Sequence, residues 1–296
     1  MPPAEEEPKG PEMISLPSQQ VAYIRDRLEK FVAESPELEK FDDLYPSEEI
    51  EADRNDIRRL RARFQKETSP NEKEFLFYAQ LLEMIIMEFS SSWIPGYLSR
   101  ATEYDDIKRR TDLFLEIEDD DGNIVRLAID VTASVFKARE KVKQIINDLQ
   151  KGIIHQVKYF ESEREEKRGF LELPRFVIGS DFPGIIDLAV LLYRHGHSQP
   201  EQKAEILKEI EQNPFGQDMK RALLYQVGRY REALRLAPTF RQQYGSSTVD
   251  SIIEQLNKIE ILLMQEIKKA PGRDVRGSRY ERPNKVLEAI LEELSS

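Results

Sequence analysis

Apolar residues recur at helical spacing along most of the chain and at strand spacing in one middle stretch. Val21, Ile24, Leu28 and Phe31 fall on one face and predict a helix over about 19–34. A second helix is expected over about 48–67. Ser69-Pro70-Asn71 then breaks the chain and starts a third, over about 71–90. This third helix is apolar on nearly every side from Phe75 to Phe89, the pattern of a buried helix. Glu83 stands in its middle, where a carboxylate is costly unless paired. The aromatic residues Phe75, Phe77, Tyr78, Phe89 and Trp93 read as core.

The period then changes. Two apolar runs, Asp112 to Glu118 and Ile124 to Thr132, flank Asp121-Gly122-Asn123 and predict a β-hairpin. A helix follows through Val135, Ala138, Val142, Ile145, Ile146 and Leu149. Glu161 to Arg168 reads as a charged loop, Arg175 to Gly179 as another strand, and Pro183 to Tyr193 as a helix ended by Gly196. Beyond Gln199 only helical signals remain, over about 200–212, 216–236, 247–270 and 283–294. Val249, Ile252, Leu256, Ile259, Leu263 and Ile267 make a long stripe, suited to packing within the chain or to a homodimer seam. The pattern divides the chain into an acidic, Pro-rich arm expected to be disordered (1–18), a helical segment (19–70), an α/β core (71–198) and a helical C-terminal region (199–296).

The 296 residues carry a net charge of -11, but unevenly. Residues 1–54 hold 15 acids and 6 bases, leaving 40 acids and 38 bases for the rest. Two basic clusters stand out as candidate phosphate contacts: Arg58, Arg59, Arg61, Arg63 and Lys66, and the stretch from Lys268 to Lys285. There are no cysteines, which excludes disulfides and thiolate sites. No apolar run is long enough to span a membrane and no signal peptide is visible, so the expectation is a cytoplasmic protein. Glycine-rich phosphate loops of the GxxxxGK[ST] and GxGxxG kinds are absent from the sequence, which argues against a P-loop ATPase or a Rossmann dehydrogenase. His195 and His197 read as a helix end rather than a metal pair.

Acidic residues punctuate the core. Asp112 opens one hairpin strand and Asp130 lies near the end of the next, so the two are expected to be neighbours. Converging carboxylates suit a hard cation such as Mg²⁺ or Mn²⁺. Such a metal polarises a phosphoryl group and acidifies water.

The order helix, hairpin, helix, strand with Glu83, Asp112 and Asp130-Val131-Thr132 resembles the PD-(D/E)XK nuclease core over about 125 residues. The resemblance implies a mixed sheet flanked by helices, with Glu83, Asp112 and Asp130 as metal ligands and a nucleic-acid phosphodiester as substrate. Thr132 occupies the lysine position of that motif. It offers only a neutral hydroxyl to position water, so the resemblance shifts the cationic role to Lys137 or Lys141 on the following helix. Asp105 and Asp106, just upstream, stand as outer ligands or as the start of a turn. The alternative is a non-catalytic nucleic-acid- or protein-binding module on the same fold. Asp130 to Ser134 also resembles the nucleophile loop of haloacid dehalogenase-class phosphatases. Thr132 stands where that class needs its second acid, and a hairpin precedes the motif.

Overall fold

A computed structural model describes residues 16–119, 121–236, 242, 245–269 and 284–295. Among these the protein is mixed α/β, with ten α-helices, a four-stranded mixed sheet and a separate two-stranded sheet. Two N-terminal helices, α1 (Ser18–Ala33) and α2 (Ser47–Glu67), lead to α3 (Pro70–Phe89). A capping box starts α3: Glu72 N donates to Ser69 Oγ at 3.3 Å and Ser69 N to the Glu72 carboxylate at 2.8 Å. Leu81, Leu82, Ile85 and Ile86 are then buried in the main core, where α3 lies on the sheet. No helix among the described residues is long and apolar enough to cross a membrane.

The sheet begins with β1 (Tyr97–Arg100), followed by the short α4 (Glu103–Arg109). β2 (Leu113–Glu118) and β3 (Ile124–Thr132) form the expected hairpin. Its turn is built on Asp119, whose Oδ1 accepts from Asn123 N at 2.8 Å and Asp121 N at 3.0 Å, while Gly122 takes φ 80°. From β3 the chain crosses through α5 (Val135–Gln150) to β6 (Arg175–Gly179), which pairs with β3 in parallel. The strand order is β1-β2-β3-β6. A second hairpin, β4 (Gln156–Glu161) and β5 (Arg168–Glu172), interrupts the crossover and packs beside α2 and α4.

The remaining helices are α6 (Phe182–His197), α7 (Pro200–Glu211), α8 (Pro214–Leu236), α9 (Ser246–Lys269) and α10 (Lys285–Ser295). α8 covers the outer edge of β6. Val177 N donates to Gln226 Oε1, and Gln226 Nε2 donates to Val177 O, both at 2.8 Å. One fully buried glutamine thus satisfies both polar groups of an edge residue that otherwise invites strand addition. α10 packs on α5 and β6, with Asn284 Nδ2 donating to Gly179 O at 3.2 Å. Gly179 has to be glycine-sized, because a Cβ there would run into Val286 and the Thr132 carbonyl.

Several expectations change. Residues 161–168 are not a plain loop: they span the end of β4, the turn and the start of β5. Asp105 and Asp106 lie within α4, and α6 runs through Gly196 to His197. Of the α9 stripe, Val249, Leu256, Ile259 and Leu263 are buried, and α9 packs on α8. The C-terminal helices share one hydrophobic core with the sheet. Residues 1–15 of the N-terminal arm and most of the basic stretch from Lys268 to Lys285 lie outside the described residues.

Candidate functional site

The β2–β3 register carries Leu113 against Ile129, and one step further it places Asp112 against Asp130. Asp112 N donates to Ile129 O at 2.9 Å, and the Asp112 carboxylate accepts from Val131 N. Asp130 is only 2 % exposed. Its Oδ1 accepts from the Lys141 ammonium, whereas its Oδ2 is buried with no hydrogen-bond partner. Lys141 reaches it from the second turn of α5 and also donates to Val131 O at 3.0 Å. The helix is aimed by its cap: Ser134 Oγ accepts from Lys137 N at 3.2 Å at the end of β3.

Glu83 and Asp106 border this pair. Glu83 comes from α3 and is held by Arg100 of β1, with Nε to Oε1 at 3.1 Å. The Arg100 guanidinium also donates to the Phe31 carbonyl and lies over the Phe31 ring. Burial, and next the Asp112 charge, push Glu83 up to about 8, although Arg100 pulls the other way. Asp112 is raised well above the usual carboxylate range, first by burial and then by Asp106 and Asp130. Lys141 and the Val131 N–H hold it down in part. Asp106 is raised as well, because protein atoms displace water around its carboxyl and Glu83 lies near. Its outer side stays open to solvent, which tempers that rise. A hydrogen bond with Asp112 also holds Asp106 down in part.

Four carboxylates therefore feel one another, with Lys141 and Arg100 as their cations. Asp112, Asp130 and Lys141 come together at the end of β3. Glu83 is turned to Arg100, a partner that carried no signal in the sequence beyond its charge. Thr132 is buried and its hydroxyl accepts from Ser134 N at 3.3 Å, a local turn contact. Lys137 is exposed, and its charge helps to lower Glu72. Four of the five bases in the α2 run form exposed ion pairs: Arg58 with Glu51, Arg59 with Asp56, Arg61 with Glu103 and Arg63 with Glu67.

An all-oxygen donor set with one unfilled buried acceptor, Asp130 Oδ2, fits a hard divalent cation by its chemistry. Its arrangement is narrower than the three-ligand expectation. Among the described residues no three histidine or carboxylate groups are gathered in metal-binding geometry. Mg²⁺ is often held by one or two carboxylates and its own waters, and Asp112 with Asp130 supplies that number.

Comparison with protein-family models, curated proteins and solved structures found no match for the chain.

Proposed function

We propose that this cluster is a divalent-metal-dependent phosphodiesterase site of the PD-(D/E)XK type, acting on nucleic acid. The observation that carries the reading is Lys141. Its ammonium, from the helix after β3, sits on the Asp130 carboxylate where Thr132 offers only a neutral hydroxyl. The chain order supports it too: a buried helix, an antiparallel β1-β2-β3 meander, a crossover helix and a parallel β6.

Asp112 and Asp130 are the residues that would hold Mg²⁺ or Mn²⁺, which when bound supplies Lewis acidity and a more acidic water. Lys141 has three donors, and two are engaged by Asp130 and Val131. The third is free to orient an attacking water or to meet the negative charge that develops on the phosphoryl oxygens. Glu83 and Arg100 form the back wall of the cluster.

The Arg100 grip on Glu83, together with the lack of a gathered three-donor set among the described residues, favours the second reading, a non-catalytic nucleic-acid- or protein-binding module. The test is cleavage of labelled single- and double-stranded DNA and RNA with Mg²⁺, Mn²⁺ or EDTA, for wild type, Asp130→Asn and Lys141→Met. Metal-dependent cutting lost in both variants supports the hydrolase. Wild type that binds a substrate but cuts none of them selects the binding module.

A further inference from the structure

A second polar locus lies elsewhere in the core. α4, the C-terminal half of α5, the start of β6, α8 and α9 surround a recess of about 300 Å³. That volume is at the small end for ligand sites. Part of its wall is apolar, with Leu149, Leu234 and Leu256. Its charge is mainly cationic, from Lys108, Arg109, Arg110 and Arg175, against one lining acid, Asp148, among the described residues. Two of these cations have partners: Lys108 pairs with Asp56 at 2.7 Å and Arg110 donates to Gln144.

Arg175 and Arg109 differ. Arg175 is only 5 % exposed, yet its Nε and Nη2 have no hydrogen-bond partner, and neither does Arg109 Nε. Nε and Nη2 lie along one edge of the guanidinium plane. That edge matches the two oxygens of a carboxylate or phosphate. A buried guanidinium with its fork unused is costly, and no contact along this edge ties one element to another. The surroundings are electropositive as well. His155, at the same recess, is pushed down to about 3, by burial first and then by Arg175 and Arg109.

We propose that the recess binds a small organic anion, its carboxylate or phosphate drawn to Arg175 and Arg109, which line the recess and carry unpaired buried donors, its apolar body against Leu149, Leu234 and Leu256. Unpaired buried donors beside a partly apolar wall select a ligand with one charged end and one apolar end. The inference does not rest on the phosphodiesterase reading.

The test is calorimetric titration and thermal melting of the full chain with three probes: inorganic phosphate, adenosine monophosphate and octanoate. Wild type, Arg175→Met, Leu234→Trp and Asp130→Asn are compared. Adenosine monophosphate or octanoate is expected to bind saturably and raise Tm, and the preferred probe tells phosphate from carboxylate. Arg175→Met should weaken that binding about ten- to hundredfold, the worth of hydrogen bonds to a charged group. Without probe it should melt at or above wild type, because a buried unpaired charge has gone. Leu234→Trp should block binding with Arg175 intact, and Asp130→Asn should leave it in place. Failure of all three probes to bind wild type would overturn the proposal. Undiminished binding by Arg175→Met, loss of binding in Asp130→Asn, or a lower Tm for probe-free Arg175→Met would do the same.

Discussion

Replacing Lys141 by Met removes the cation from a carboxylate that has nowhere else to turn. Asp130 is 2 % exposed, Oδ1 is held by Lys141 and Oδ2 has no partner. Breaking a buried pair in this way costs about 3–5 kcal/mol. The Lys141 side chain keeps 22 % exposure, which places the cost near the lower end, about 3 kcal/mol. The reciprocal change, Asp130→Asn, should cost less, about 1 kcal/mol, because the ammonium can turn to water and Asn keeps an acceptor. The double variant leaves neither charge stranded. It should lose about 1 kcal/mol, a coupling of about 3 kcal/mol between the two positions. Urea denaturation of the four proteins at pH 7.5 in EDTA, followed by far-UV circular dichroism, gives each stability. Additive losses, with coupling under about 0.5 kcal/mol, would refute the pairing and with it the placement of the amine. Stability measured without metal separates this test from the cleavage assay.

Other expectations follow from single contacts. Gln226→Leu keeps the volume but orphans the N–H and C=O of Val177. The loss should be about 2–4 kcal/mol, with faster amide exchange along β6. His155 is held neutral, with its pKa depressed to about 3. It therefore contributes stability above its ordinary value of 6.5, and that contribution is lost as pH falls toward 3. Melting curves from pH 7 to 4 should fall more steeply for wild type than for His155→Gln, by up to about 1.4 kcal/mol per pH unit; parallel curves would contradict the burial of a neutral imidazole. Gly179→Ala should lower stability by about 1–3 kcal/mol through its clash with Val286 and the Thr132 carbonyl. Val286→Ala should restore only part of that, because the carbonyl cannot retreat.

The long elements were legible because their periods are strong. The all-round apolar run to Phe89, the stripe from Val249 and the Asp-Gly-Asn turn each mark one kind of element, helix or hairpin. The short or amphiphilic ones were not. In α4, Tyr104 and Ile107 are too few to establish a period among Glu103, Asp105, Asp106, Lys108 and Arg109. β4 was hidden because its burial does not alternate: Val157, Tyr159 and Phe160 are buried around a register shift. The neighbouring Asp112 and Asp130 followed from hairpin geometry alone. The sequence left Lys137 and Lys141 equivalent, one turn apart. Only the docking of α5 between β3 and α10 turns one lysine in and leaves the other in water. Arg100 as the partner of Glu83 depends on how β1 meets α3, and no local pattern encodes it.

The covered edge of β6 has a consequence for synthesis. Gln226 lies 49 residues after Val177, and Asn284 lies 105 residues after Gly179. At about 5–20 residues per second, a ribosome delivers the glutamine roughly 2–10 s after the strand, and α10 roughly 5–20 s after it. Through that interval the nascent sheet presents an uncapped strand and the bare face of α5. Slowing translation between codons 180 and 284 should lengthen the exposure and increase aggregation.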